Sequence, residues 1–118
     1  MFQYVKNINE ISEKNNIFVV KIETIGSKEE LLEVYNKNFK FPYFGYNWDA
    51  LYDCLCDLSW IEEENIIIAH STIKMSDHSL RKIYLKILND VLISWKDDEN
   101  KKITVFFMEE DKKIISQT

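Results

Sequence analysis

Apolar residues recur along the chain with two different periods. The run Ile17-Phe-Val-Val-Lys-Ile-Glu23 is β-branched and bounded by Asn15-Asn16 and Gly26, which predicts a largely buried strand. Asn65-Ile-Ile-Ile-Ala-His70 predicts a second strand, and Ile-Thr-Val-Phe-Phe within Lys101 to Met108 a third. From Ser79 to Trp95 the apolar positions 80, 83, 84, 87, 88, 91, 92 and 95 follow steps of three and one, the clearest amphipathic helix in the chain. A helix opens after Ser27-Lys-Glu-Glu30, which has the form of a capping box, and turns Leu31, Leu32, Val34, Tyr35 and Phe39 toward a core. A further helix follows Asn47, a good N-cap, with Trp48, Leu51, Tyr52, Leu55 and Leu58 at helical spacing. Between the two lies the aromatic loop Phe41-Pro-Tyr-Phe-Gly-Tyr46. Residues 1–16 carry no element that the pattern defines, and Glu109 to Thr118 reads as a charged tail.

Strand runs without polar alternation, separated by helices, predict a parallel sheet covered by helices. Three strands and about three helices make a small α/β domain. The chain has 118 residues, enough for one core and not for two. Its 46% apolar content, with two glycines and one proline, argues against disorder and repeat architectures.

The formal net charge is −5, and its distribution changes the picture. From Phe41 to Ile73 there is no Lys or Arg, while Asp49, Asp53, Asp57, Glu62, Glu63 and Glu64 give those 33 residues −6. The rest of the chain sums to +1. No basic stripe is present to displace counterions from nucleic acid, and no run of apolar residues is long enough to span a bilayer. The N-terminal MFQYVKNINEI lacks the apolar segment of a signal peptide, so a cytoplasmic location is expected.

Candidate chemistry is sparse. Cys54 and Cys56 are two apart on a helix and point to different faces, so free thiols are expected rather than a mutual disulfide. Their spacing from His70 and His78 fits no standard zinc set, and both histidines read as structural or exposed. No phosphate loop or Ser/His/Asp set appears, and no cofactor or metal is expected.

The informative cluster is Asp49, Asp53 and Asp57, spaced by four on one helix face. Like charges so placed cost a few tenths of a kcal/mol per pair. The helix dipole favours Asp49 in the first turn but does not reach the other two. Tyr43, Phe44, Tyr46, Trp48, Tyr52 and Trp60 crowd the same region, and not all of these rings fit a core. Three readings are open: a solvated face, a surface for a cationic partner, or an acid–base pair of Asp49 and Asp53 as in glycoside hydrolysis. Aromatic rings beside unpaired acids favour the second.

The segment from Phe41 to Trp60, FPYFGYNWDALYDCLCDLSW, resembles the signature of the barstar family, small intracellular inhibitors of secreted ribonucleases. The resemblance covers residues 17–108, leaving 1–16 and 109–118 peripheral to one barstar-like domain. It implies a three-stranded parallel sheet packed with three to four helices, and a function without turnover. A monomer would occlude the active site of a basic ribonuclease in a 1:1 complex. By position, Asp53 is implied as the main anchor, Asp49 as a second acid and Tyr43 as the aromatic that stacks in the nuclease site. Phe44 follows it, Gly45 permits the turn, and Asn47 caps the helix. Tyr52 stands where the family's prototype has Trp, Asp57 is a possible third contact, and Asp90 on the last helix matches a further family acid. The loop is one residue shorter than the prototype's between Pro42 and Tyr43, which predicts a tighter turn. An alternative on the same fold is immunity against another toxin class, or regulation of a basic protein that is not a nuclease.

Overall fold

The computed structural model describes residues 1–11, 16–23, 26–73 and 77–118. The chain runs β1 (Gln3–Val5), a 3₁₀ turn at Ile8–Glu10, β2 (Ile17–Ile22), α1 (Lys28–Phe39), α2 (Trp48–Asp57), β3 (Asn65–His70), α3 (His78–Trp95), β4 (Lys102–Met108), a second 3₁₀ turn and α4 (Lys112–Gln117). All strand pairs are parallel, in the order β1-β4-β3-β2. The α/β class and parallel sheet agree with the expectation, but the sheet has four strands rather than three. β1 pairs Gln3, Tyr4 and Val5 with Phe106, Phe107 and Met108. Beside it, Phe2 meets the Phe107 ring edge-on at 5.0 Å. Of the residues expected to bound β2, Asn15 lies outside the described set and Asn16 takes a left-handed conformation, φ 72°.

The registers put Phe18, Val20 and Ile22, Ile66, Ile68 and His70, and Ile103, Val105 and Phe107 on one sheet face. These apolar side chains join Leu31, Tyr35, Leu51, Leu55, Leu88 and Val91 from the three long helices in one cluster. The opposite face is less enclosed: Ile67, Val19 and Phe106 are only half-buried. Among the described residues the two faces are therefore covered unequally, which the strand runs alone do not reveal.

Local signals act as their chemistry dictates. Ser27 Oγ accepts from Glu30 N at 3.1 Å, and the Glu30 carboxylate reaches back to Gly26 N at 3.1 Å. On α3 the buried stripe is Tyr84, Leu85, Leu88, Val91 and Leu92. Leu85 is buried in place of Ile83, which is 43% exposed and lies on the side of α3 that borders α2. The expected charged tail is instead ordered against the core, with Ile115 of α4 buried and Asp111 accepting from Ile73 N at 3.1 Å. Among the described residues no helix is long and apolar enough to cross a membrane.

Candidate functional site

The aromatic loop is built outward from the core. Phe41 is buried and stacks on Phe39 with centroids 5.6 Å apart. Phe44 lies on both Phe41 and Tyr46, at 4.9 and 4.7 Å. Asn36 Nδ2 donates to Tyr46 Oη at 2.6 Å, and Trp60 Nε1 donates to Phe39 O at 2.9 Å. The first bond ties the end of the loop to α1, and the second ties the segment after α2 to the end of α1. Cys54, buried on α2, donates its thiol to Tyr43 O at 3.2 Å. Burial, the first cause, pushes that thiol up, so it remains the donor.

Gly45 does not carry the left-handed step of the turn, as its position suggests; Tyr46 does, at φ 51°. What Gly45 supplies is room. A Cβ there would stand 3.3 Å from Asn47 Nδ2, and this amide donates to Gly45 O at 3.4 Å. Asn47 Oδ1 accepts from Ala50 N at 2.7 Å, the expected cap that starts α2.

On α2, Leu51, Cys54 and Leu55 face the core, so Asp49 and Asp53 are left outward and exposed. Among the described residues neither acid takes part in an ion pair. Asp57 differs from them. Its Oδ2 accepts from Tyr43 Oη at 2.6 Å, and that bond, followed by one from Ser59, holds its carboxyl below the usual range. Tyr43 remains 55% exposed, its ring edge-on to Trp60 at 6.4 Å. Its phenol is pushed up to about 12, first by the same bond.

Asp90 on α3 is brought to the α2 face. A groove of about 340 Å³ is lined by Trp48, Asp49 and Tyr52 from α2 and by Ile83, Lys86, Ile87 and Asp90 from α3. The Tyr52 hydroxyl is raised chiefly by its hydrogen bond to Cys56, one turn on. Cys56 Sγ in turn lies 3.3 Å from Ser94 Oγ. Tyr43, Asp49, Tyr52, Asp53 and Asp90 thus share the loop–α2–α3 side of the molecule, with Phe44 half-buried next to Tyr43 and Asn47 exposed at the start of α2.

Residues 15–108 match the family model described as Barstar (barnase inhibitor). The chain belongs to the barstar family. No curated protein and no solved structure matches it. In this barstar-family chain the matched stretch contains β2 to β4 and the whole acid–aromatic face, while β1 and α4 lie outside it. The family is one of inhibitors rather than enzymes.

The geometry also bears on the acid–base reading. Such a pair needs a pocket around both carboxylates. Asp49 and Asp53 are both exposed, and the groove takes in Asp49 without Asp53. Among the described residues no three His, Cys, Asp or Glu side chains converge as metal ligands. What the face offers is negative charge, stacking area and hydrogen-bond acceptors.

Two contributors escaped sequence reasoning. Lys101 reaches across from the start of β4 and donates to Leu58 O at 2.8 Å and Ile61 O at 2.6 Å. It neutralises the C-terminal end of a helix whose own window has no cation. Lys86 is the other, a cation beside the groove that pairs with Asp90. Its only sequence signal is the i,i+4 spacing to that acid.

Proposed function

We propose that this chain is an intracellular immunity protein that binds a basic ribonuclease toxin one-to-one and occludes its active site. The observation that carries this is the pairing on one face of two exposed, ion-pair-free carboxylates, Asp49 and Asp53, with the exposed ring of Tyr43. A ribonuclease site is lined with cations that hold phosphate. Carboxylates on a rigid helix meet those cations in the phosphate's place, and desolvated charge-assisted hydrogen bonds then slow dissociation. Tyr43 supplies flat apolar area beside them, and Asp90 extends the charge onto α3. The excess charge of residues 41–73 draws a basic partner in, so association is fast and salt-sensitive. Barstar-family membership supports this reading over a solvated face.

The test is a titration of basic ribonucleases with the protein, read as loss of RNA cleavage at two salt concentrations. Inhibition that saturates at equimolar protein and weakens with salt supports the reading. Full cleavage at a large excess of the protein for every basic ribonuclease tried, with capture of a basic non-nuclease toxin instead, replaces it by immunity of another class.

A further inference from the structure

We propose that Asp57 is a positioning residue for Tyr43, fixing the loop ring in the orientation that meets the partner without touching the partner itself. What Tyr43 meets rests on the inhibitor reading above, whereas the tether is a property of the free protein. An exposed tyrosine on a loop ordinarily swings among rotamers, and ordering it on binding lowers affinity. Here contacts from three directions converge on it. The phenol donates to Asp57 Oδ2 at 2.6 Å, the length of a charge-assisted O–H···O⁻ bond. The Cys54 thiol holds the Tyr43 carbonyl at 3.2 Å, and Trp60 meets the ring edge-on.

Asp57 is in turn well held. It is the last residue of α2, followed by Leu58 in the left-handed conformation that ends the helix. Ser59, two residues on, and the Lys101 ammonium both favour its charged form. At neutral pH the donor keeps its proton and the acceptor its charge. The three aspartates of the α2 stripe therefore divide: Asp49 and Asp53 stay exposed, while Asp57 is turned to its own loop.

The experiment compares Asp57→Ala, Asp57→Asn, Tyr43→Phe and the Asp57→Ala/Tyr43→Phe double variant with wild type. One readout is the nuclear Overhauser contact between the Tyr43 and Trp60 rings in the free protein. The other is affinity for a basic ribonuclease at about 1 M salt, where the screening length of about 3 Å removes the effect of a distant lost charge. Asp57→Ala is expected to lose the ring contact and to bind about three- to tenfold more weakly, the cost of ordering one freed side chain. Asp57→Asn keeps an acceptor oxygen and should retain the contact and most of the affinity. In the Tyr43→Phe background Asp57→Ala should add nothing. An intact ring contact in Asp57→Ala overturns the proposal, as does a lost contact with unchanged affinity. Equal weakening by Asp57→Asn and Asp57→Ala with the contact retained also overturns it, by showing that Asp57 meets the partner directly. If wild type binds no ribonuclease, the inhibitor reading falls, and the ring contact alone decides whether Asp57 sets Tyr43.

Discussion

Tyr84 Oη lies 2.6 Å from His70 Nε2, linking α3 to the end of β3 inside the core. The tautomer follows from the other nitrogen, which stands 3.0 Å from Phe106 O and must donate to it. Nε2 is then a bare acceptor for Tyr84, whose oxygen is 2.6 Å from Tyr35 Oη. The bonds Tyr35 to Tyr84 to His70 to Phe106 thus join α1, α3, β3 and β4 around a neutral imidazole stacked on Phe107 at 4.2 Å.

A pH dependence follows from that neutral ring. Burial pushes His70 down from 6.5 to about 4. A histidine with a folded value below its unfolded one contributes stability that is complete above the unfolded value. That contribution is lost as pH falls toward the folded one. Stability should therefore drop between about pH 6.5 and pH 4, by up to about 1.4 kcal/mol per pH unit from this group. Urea unfolding of wild type and His70→Gln across that range checks it. The variant should be less stable at neutral pH but show a shallower acid slope, and equal slopes would assign the loss to other groups.

Lys101→Met should destabilise the end of α2. The ammonium satisfies two carbonyls just beyond the helix and sits at its negative pole, so losing it is expected to cost about 1–2 kcal/mol. A lower urea midpoint at unchanged slope is the expected signature. Lys102→Ala, at an exposed neighbouring position, should change little.

How much of this could be read from the chain depends on the range over which each feature is decided. Val20, Ile68 and Val105 sit in long β-branched runs, and Ser27 and Asn47 cap through bonds to residues three away, so these elements are legible locally. β1 is not, because three residues at a sheet edge become a strand only when β4 is beside them. Leu85 and Ile83 are equally apolar, and only the tertiary packing around α3 decides which is buried. The site divides in the same way. Helical periodicity places Asp49 and Asp53 together on one face; aromatic crowding says only that some ring stays outside, and it is the family resemblance that singles out Tyr43. The Tyr43–Asp57 bond spans 14 residues and the Lys101 contact to Leu58 spans 43, so neither has a local signature.

Lys86 should act against binding. It pairs with Asp90 at 2.8 Å, but its side chain is 76% exposed and the pair is an i,i+4 contact in the less favourable orientation. Lys86→Ala is expected to change stability by no more than about 0.5 kcal/mol. It should also free Asp90 and remove a cation that lines the groove, so association with a basic nuclease speeds up at low salt. Stopped-flow association rates at two ionic strengths check this. A slower rate would mean that Lys86 itself meets an acidic group on the partner.

Asp53→Ala should separate function from stability. If Asp53 anchors the proposed interface, its loss is expected to weaken nuclease binding by more than about 30-fold, with Asp49→Ala weaker in effect; the barstar family is itself a standard case of such interface hot spots. In the free protein the same change should be neutral or slightly stabilising. Asp53 lies four residues from both Asp49 and Asp57, beyond the reach of the helix dipole, and removing it relieves like-charge repulsion of a few tenths of a kcal/mol per pair. Asp49, in the first turn, offsets its repulsion by favouring the dipole, so Asp49→Ala should gain less. Urea midpoints for both variants, set beside their dissociation constants, make the comparison. A merely solvated face would give the small stability gain with no loss of binding. A structural role for Asp53 would lower the midpoint, and its binding loss would then reflect a damaged α2 rather than a missing contact.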